Sequence, residues 1–285
     1  MRYFSGGLII GLFIGVIIAT SSPSSIVSET AKNQLIISEP SNTVPNQIWR
    51  LASLFPSKMF PTGSAATQLV EKVNHLTEGT IRLRHFEPGI LVQDLDSFDA
   101  VSSGTIEAAI SSPSFWGEKS NSFKLLGGVP FGPKIGEFLA WYQVGGGREL
   151  SQNLYRRHNI HGLVCGVTGP VLGGWFRGQV RNLTDLQNRL VAAVGLGANI
   201  LSRAGVRTTL IAPQDIAPAL KSGKLFGATI AAPYAMEKSD LRNLSGYVYF
   251  PGWHQQYSVL DLMINLGKWN SLNRKTKDKI KIACT

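Results

Sequence analysis

The hydrophobic positions in residues 47–110 change period several times, first as in a strand and then as in a helix. Gly79 and Gly104 follow the two helical patterns and supply stop signals. The predicted elements, in the order strand, helix, strand, helix and strand, cover residues 47–55, 64–76, 80–86, 95–101 and 106–110. This order is typical of an α/β domain with a largely parallel sheet.

A second series of helical and strand-like patterns begins near residue 135. Two helices are predicted on either side of the Gly145-Gly146-Gly147 turn. Further strands are predicted at residues 160–167, 171–176, 190–194, 208–211, 225–230 and 257–266, with helices near residue 200 and at 214–220. We therefore predict an α/β fold with two lobes, residues 47–165 and residues 166–285, the second range including crossing strands. Such a fold binds its ligand in the cleft between the lobes, at the ends of strands.

The N-terminal residues have the form of an export signal. Arg2 precedes an apolar run from Leu8 to Ala19, and small residues follow the run. We predict a signal segment at residues 1–22 and a flexible Ser/Thr/Pro/Asn-rich spacer at residues 23–46. The run is short for a membrane span, which needs about 20 residues. An uncleaved anchor stays open as the alternative.

Composition favours a folded body and does not indicate a nucleic-acid partner. Of the 285 residues, 44% are hydrophobic and 16% charged, which suits a buried core. The net charge is +10, but the basic residues are scattered apart from a group between Lys268 and Lys281. We interpret this group as the solvated face of a terminal helix.

The chain has two cysteines, Cys165 and Cys284. Cys165 lies in an apolar run that predicts a buried strand, so a small buried hydrophobe is the preferred interpretation. A disulfide between the two cysteines stays open, because spacing alone cannot establish it. No CxxC motif exists, which excludes a metal or redox site built from such a pair.

Candidate binding residues lie in loops that follow predicted strands. Phe115 and Trp116 come directly after a strand, and His254 lies in a loop marked by Gly and Pro. Organic solutes usually bind in apolar clefts with a few placed polar groups. No nucleophile–base pair and no paired carboxylates can be assembled from the motifs, so an enzyme is the weakest of the functions considered.

Several of these segments, in order along residues 47–283, resemble the extracytoplasmic solute receptors of TRAP (tripartite ATP-independent periplasmic) transporters, the DctP-type family. The branch associated with 2-oxo acids and other monocarboxylates is the most similar. The resemblance is carried by residues 49–60, 98–104, 129–132, 140–141, 145–150, 173–177, 195–197 and 250–254. It implies a periplasmic-binding-protein-like fold whose two lobes close on a small organic solute. It also implies a periplasmic location and delivery of the solute to a TRAP membrane permease, with no cofactor and no nucleic acid.

Four departures from the family's binding pattern, one of them at a pair of residues, lie in the segments that resemble it. Ala192 stands where the family has an arginine for the ligand carboxylate, and Val171 stands where this branch has a glutamine. Thr229-Ile230 replaces a Glu-Trp pair, and Gln255 replaces a glutamate. The resemblance therefore predicts weak or absent binding of a 2-oxo acid and no tightly held cation, because each change removes or weakens charge or polarity.

The predicted cleft residues are Phe115, Trp116, Arg177, Thr229, His254 and Gln255, with no metal ligand among them. Arg177 is retained from the family, but its usual place is beside the pocket. The chain ends inside a predicted helix where the family continues, which implies a shortened receptor or an early end to the reading frame. Two further hypotheses stay open: a receptor that has switched to a neutral or weakly polar solute, and a degenerate paralogue without a small-molecule role that acts as an interaction or structural protein.

Overall fold

A computed structural model describes residues 47–229 and 246–285 of the chain. The predicted signal segment, the predicted spacer and Ile230 lie outside the described residues. The strands within them are β1 (Gln47–Ser53), β2 (Ile81–Phe86), β3 (Ala108–Ser111), β4 (Ile160–Thr168), β5 (Gly174–Phe176), β6 (Leu190–Ala192), β7 (Arg207–Thr209), β8 (Gly227–Ala228), β9 (Tyr247–Tyr249) and β10 (Ser258–Asn265).

The helices alternate with these strands over much of the described chain. They are α1 (Thr62–Thr77), α2 (Ser97–Ser103), α3 (Asn121–Gly127), α4 (Ile135–Val144), α5 (Gly147–Arg156), α6 (Gly195–Arg203), α7 (Pro213–Lys221), α8 (Leu266–Asn270) and α9 (Arg274–Ala283). No helix in the described ranges is both long enough and apolar enough to cross a membrane.

The strands form two sheets, which confirms the predicted two-lobed α/β fold. The first sheet has the order β2-β1-β3-β10-β4, and the second has the order β7-β6-β8-β5-β9. β1 pairs in parallel with β2 and β3, whereas β10 pairs antiparallel with β3 and β4. Residues 166–285, predicted as the second lobe with the crossing strands, therefore contain strands of both sheets. Helix α9 also packs against α1 of the first lobe.

The lobes have separate apolar cores that meet at the cleft. Trp49, Leu51 and Ile110 belong to the large core of the first lobe, and smaller clusters fill the second lobe. Val194 and Leu210 come from the second lobe, yet they pack with the core of the first. The structure thus has the two lobes in direct apolar contact.

The prediction that Cys165 is only a small buried hydrophobe is wrong. Cys165 in β4 and Cys284 at the end of α9 form a disulfide, although 119 residues separate them in sequence. The fold brings them together because both β4 and α9 belong to the first lobe.

A buried carboxyl group anchors the middle of the first sheet. Asp261 on β10 accepts hydrogen bonds from Ser111 Oγ (2.7 Å) and from the Tyr155 hydroxyl, and Trp116 Nε1 donates to Ser111 Oγ (3.0 Å). Burial raises the pKa of Asp261 from 3.8 to about 6, and the hydrogen bonds offset this rise only in part. The charged carboxylate is therefore a cost to the fold at neutral pH.

We expect Asp261→Asn to remove a pH-dependent contribution to stability. Because the folded-state pKa is raised, the stabilising effect of the protonated carboxyl is complete below pH 3.8 and is lost as the pH rises through about 6. The loss is no more than about 3 kcal/mol, the equivalent of a shift of about two pKa units. Urea unfolding of both proteins from pH 3.5 to 7 measures it; parallel curves would contradict the expectation.

Candidate functional site

The strand ends that face the cleft bring together segments from distant parts of the sequence. Ser112 and Ser114 follow β3, the N-terminus of α6 follows β6, and Thr229 follows β8. The segment from Phe250 to Gln256 leads from β9 back to β10, and it contains His254. Each of these positions therefore lies at the carboxyl end of a strand or in a segment that crosses between the lobes, where α/β folds bind ligands.

The two crossing segments are paired with each other through the backbone. The Val171 N–H donates to the Gln255 carbonyl (3.2 Å), and the Gly252 N–H donates to the Val171 carbonyl (3.0 Å). Val171 is buried. Its place is therefore in the connection between the lobes, which explains why residues 171–173 are not part of β5 as the sequence pattern predicted.

Gln255 links this connection to the first lobe. Its side-chain Nε2 donates to Ser114 Oγ (2.8 Å) and to the Gly127 carbonyl (3.0 Å), and both Gln255 and Ser114 are buried. These contacts fix the amide orientation, because only the nitrogen can donate to a carbonyl. Ser112, two residues before Ser114, is also buried. Its Oγ has no hydrogen-bond partner among the described residues.

His254 is almost fully buried, with 1% of its surface exposed, and it contacts the end of β8. Its Nε2 lies 2.7 Å from the Thr229 carbonyl, so this nitrogen carries the proton and donates. Burial lowers the pKa of His254, and the hydrogen bond to Thr229 raises it by less. The ring is therefore neutral at pH 7, with Nδ1 as an acceptor that lacks a partner among the described residues.

The first turn of α6 comes close to this histidine. A Cβ built on Gly197 would lie 2.8 Å from His254 Cβ, so only glycine allows the approach without movement. The sequence interpretation took the Gly195-Leu196-Gly197 segment as a tight turn at a helix N-terminus. The structure adds that its second glycine makes room for His254.

Thr229 and Ala192 are joined at the second sheet. The Thr229 N–H donates to the Ala192 carbonyl at 2.9 Å, and its Oγ1 lies 3.4 Å from the same oxygen. Ala192 has no exposed surface, and it packs with Trp175 and Ala228. The position that the resemblance assigns to an arginine is thus filled by an apolar residue with apolar neighbours.

Phe115 and Trp116, the predicted aromatic cleft residues, lie in the core of the first lobe. The Phe115 ring meets Phe55 edge to face at 6.3 Å, and the Trp116 ring lies 5.3 Å from Phe98. The described contacts do not bring either ring to His254. A ligand-binding role for them stays a prediction.

Arg177 lies at the other end of the second sheet from Thr229. β5 runs antiparallel to β8, with Phe176 opposite Gly227 and Trp175 opposite Ala228. Arg177 follows Phe176 and therefore extends beyond the start of β8, whereas Thr229 follows its end. Its guanidinium lies against Gly223. The structure does not bring Arg177 to the site, and its predicted contact with a ligand also stays a prediction.

The polar side chains of this candidate site are all uncharged types. Ser114, Thr229, His254 and Gln255 supply hydroxyl, amide and imidazole groups, none of them charged. Across the described ranges, no group of three or more His, Cys, Asp or Glu residues could hold a metal ion. Calcium takes about six to eight oxygen ligands, usually including carboxylates, so these residues do not fit a calcium site.

The sequence interpretation names His254, Thr229 and Gln255 but not Ser112 or Ser114, and a ligand contact of any of these residues stays a prediction. The Ser-Ser-Pro-Ser run at residues 111–114, which begins with the last residue of β3, is the available signal, since α/β folds bind ligands at the carboxyl ends of their strands.

Comparisons with known proteins agree with this architecture. The profile of the bacterial extracellular solute-binding protein family 7 (DctP) matches residues 53–285. A monocarboxylate 2-oxoacid-binding periplasmic protein of Nostoc sp. is 31% identical over 260 residues, which are 89% of this chain and 71% of that protein.

Two crystal structures of TRAP solute-binding proteins are also similar. The first, from Bordetella bronchiseptica, has 31% identity and a TM-score of 0.81, covers 84% of this chain and 71% of its own, and is described with copurified calcium and picolinate. The second, from Pseudoalteromonas atlantica, has 25% identity and a TM-score of 0.79, and it holds sodium and pyruvate. The match covers 84% of this chain and 72% of that one. The chain therefore belongs to the bacterial extracellular solute-binding protein family 7, the periplasmic receptors of TRAP transporters that bind small organic solutes.

Proposed function

We propose that this receptor binds a small uncharged organic solute with hydrogen-bonding groups, rather than a 2-oxo acid held together with a cation. One observation carries the proposal. Ala192, fully buried among apolar side chains, occupies the place where the resemblance expects a guanidinium. A carboxylate entering the closed cleft would lose its water without gaining a counter-charge there, which is costly in a low-dielectric site.

The remaining polar groups support the same ligand class. A neutral His254 ring offers an acceptor at Nδ1, and Ser112 Oγ can donate or accept. A solute with a hydroxyl or amide group would satisfy such groups, which are expensive to leave unpaired when buried. We also infer that the receptor binds its solute without chemical turnover, since in the described residues no serine hydroxyl is hydrogen-bonded to a histidine ring.

We expect pyruvamide to bind at least about tenfold more tightly than pyruvate, since the two share one skeleton and differ in the charge that Ala192 leaves unpaired. Isothermal titration of the purified protein measures both affinities, with calcium and with a chelator. A wider thermal-shift screen of paired acids, amides and alcohols extends the test. Micromolar binding of pyruvate, or a screen whose strongest hits are carboxylates, would contradict the proposal.

We further propose that the chain is exported by its N-terminal segment and delivers its solute to a TRAP permease. The apolar run from Leu8 to Ala19 supports export, and the Cys165–Cys284 disulfide suits an oxidising compartment. Cell fractionation and sequencing of the mature N-terminus provide the test. A full-length product confined to the cytoplasm would contradict export.

A further inference from the structure

A half-buried side-chain hydrogen bond joins the two lobes away from the site. Asp94 begins a short 3-10 helix after β2 of the first sheet, and Gln214 lies in the first turn of α7, after β7 of the second. The Gln214 amide Nε2 donates to Asp94 Oδ2. The two residues are 120 positions apart in sequence, so the contact depends wholly on how the lobes are placed.

The Asp94–Gln214 pair lies next to the edges of the two sheets that are opposite the crossing segments. The chain crosses between the lobes from β4 to β5 and from β9 to β10. β4 and β10 form one side of the first sheet, and β5 and β9 form one side of the second, whereas β2 and β7 are the strands at the opposite edges. The Asp94–Gln214 bond therefore spans the lobes at the edges farthest from the crossings, where a rotation about the crossings produces the largest displacement.

The neighbouring contacts show that the bond belongs to a closed interface. Leu210, at the end of β7, packs with the core of the first lobe. A further contact between the lobes, from Lys124 Nζ to Asn199 Oδ1, is longer, at 3.4 Å, and exposed. Asp94 and Gln214 are both half-buried, and Asp94 Oδ1 and Gln214 Oε1 have no partner among the described residues.

We propose that Asp94 and Gln214 form a latch that holds the lobes closed over the bound solute without touching the solute. The inference rests on the proposed receptor function. The carboxylate accepts a bond of the charge-assisted type, which is stronger than a neutral one. Burial, and to a smaller extent the charge of Asp215 in the first turn of α7, raise the pKa of Asp94, whereas the bond from Gln214 lowers it and so stabilises the charged form. Loss of the latch shifts the lobes toward an open arrangement.

The test measures lobe opening in the absence of any solute, so that its outcome does not depend on the ligand proposed above. The variants are Asp94→Ala, Gln214→Ala and Gln214→Glu, the last placing two carboxylates face to face. Asp96→Ala is the matched control, since Asp96 belongs to the same 3-10 helix, is exposed and has no side-chain partner among the described hydrogen bonds and ion pairs. Circular dichroism confirms that each variant is folded.

Small-angle X-ray scattering and hydrogen–deuterium exchange supply the readouts. We expect a larger radius of gyration for the three latch variants, greatest for Gln214→Glu. We also expect at least about tenfold faster exchange in the peptides around His254 and Gly197, the factor that corresponds to loss of a charge-assisted hydrogen bond. Exchange in β1 and β10 should be unchanged, which separates opening from unfolding. Latch variants that match Asp96→Ala in both measurements would overturn the proposal.

Discussion

Replacing Cys165 and Cys284 together by alanine is expected to lower the free energy of unfolding by about 4 to 5 kcal/mol, the value for a cross-link that closes a loop of about 120 residues. The disulfide joins β4 to the end of α9 across 119 residues of sequence. The unfolded chain without it gains a large amount of conformational freedom, while the folded state loses few contacts. For a chain of this size, we expect the melting temperature to fall by roughly 10 °C.

Single substitutions provide the internal control for this prediction. Cys165→Ala and Cys284→Ala each break the same bond, so each should cost nearly as much as the double substitution, and the two costs should not add. Denaturant unfolding of the three variants, and of the wild-type protein with and without reductant, measures the costs. A double variant that loses less than about 1 kcal/mol, well below the typical range for a disulfide, would contradict the prediction.

Local patterns predicted most of the first lobe because its elements are long and regular. The predicted strand at 80–86 and helix at 64–76 correspond to β2 and α1, with bounds that differ by one or two residues. β9 was not predicted, since a strand of three residues, two of them exposed, carries no periodic signal. The pairing of β10 with β3 could not be predicted from local patterns either, because it joins residues about 150 positions apart. The contact between Asp261 and Ser111 is an example.

The candidate site was predicted only in part, for a related physical reason. The sequence places His254 in a crossing loop and Thr229 after a strand, and the structure joins them through one hydrogen bond. Whether a residue near a strand end faces the cleft or the core depends on register and strand direction. Arg177 shows this, because the antiparallel direction of β5 carries it to the far end of the sheet. Ser114 shows the converse, since its partner Gln255 lies 141 residues away.

Ala192→Arg is expected to make the protein less stable on its own and more responsive to carboxylates. Ala192 has no exposed surface, so a guanidinium there is a buried unpaired charge, which costs about 3 to 5 kcal/mol. A carboxylate that reaches the guanidinium pairs with it and restores part of the lost free energy of unfolding. Pyruvate at about 100 times its dissociation constant would restore about 2.7 kcal/mol. Thermal unfolding with a series of pyruvate concentrations measures both effects.

Ala193→Arg is the matched control, because the strand alternates its side chains between two faces. Ala193 is as buried as Ala192 but belongs to a different cluster, with Phe176 and Leu201, whereas Ala192 packs with Trp175 and Ala228. An arginine at 193 should therefore cost a similar amount of stability without recovery by pyruvate. If pyruvate restores stability to Ala192→Arg alone, the ligand carboxylate lies beside β6. That result would support the absence of an arginine at position 192 as the reason for a neutral ligand. Equal recovery at both positions, or none at 192, would show that this position does not control charge selection, and the proposed ligand class would lose its main support.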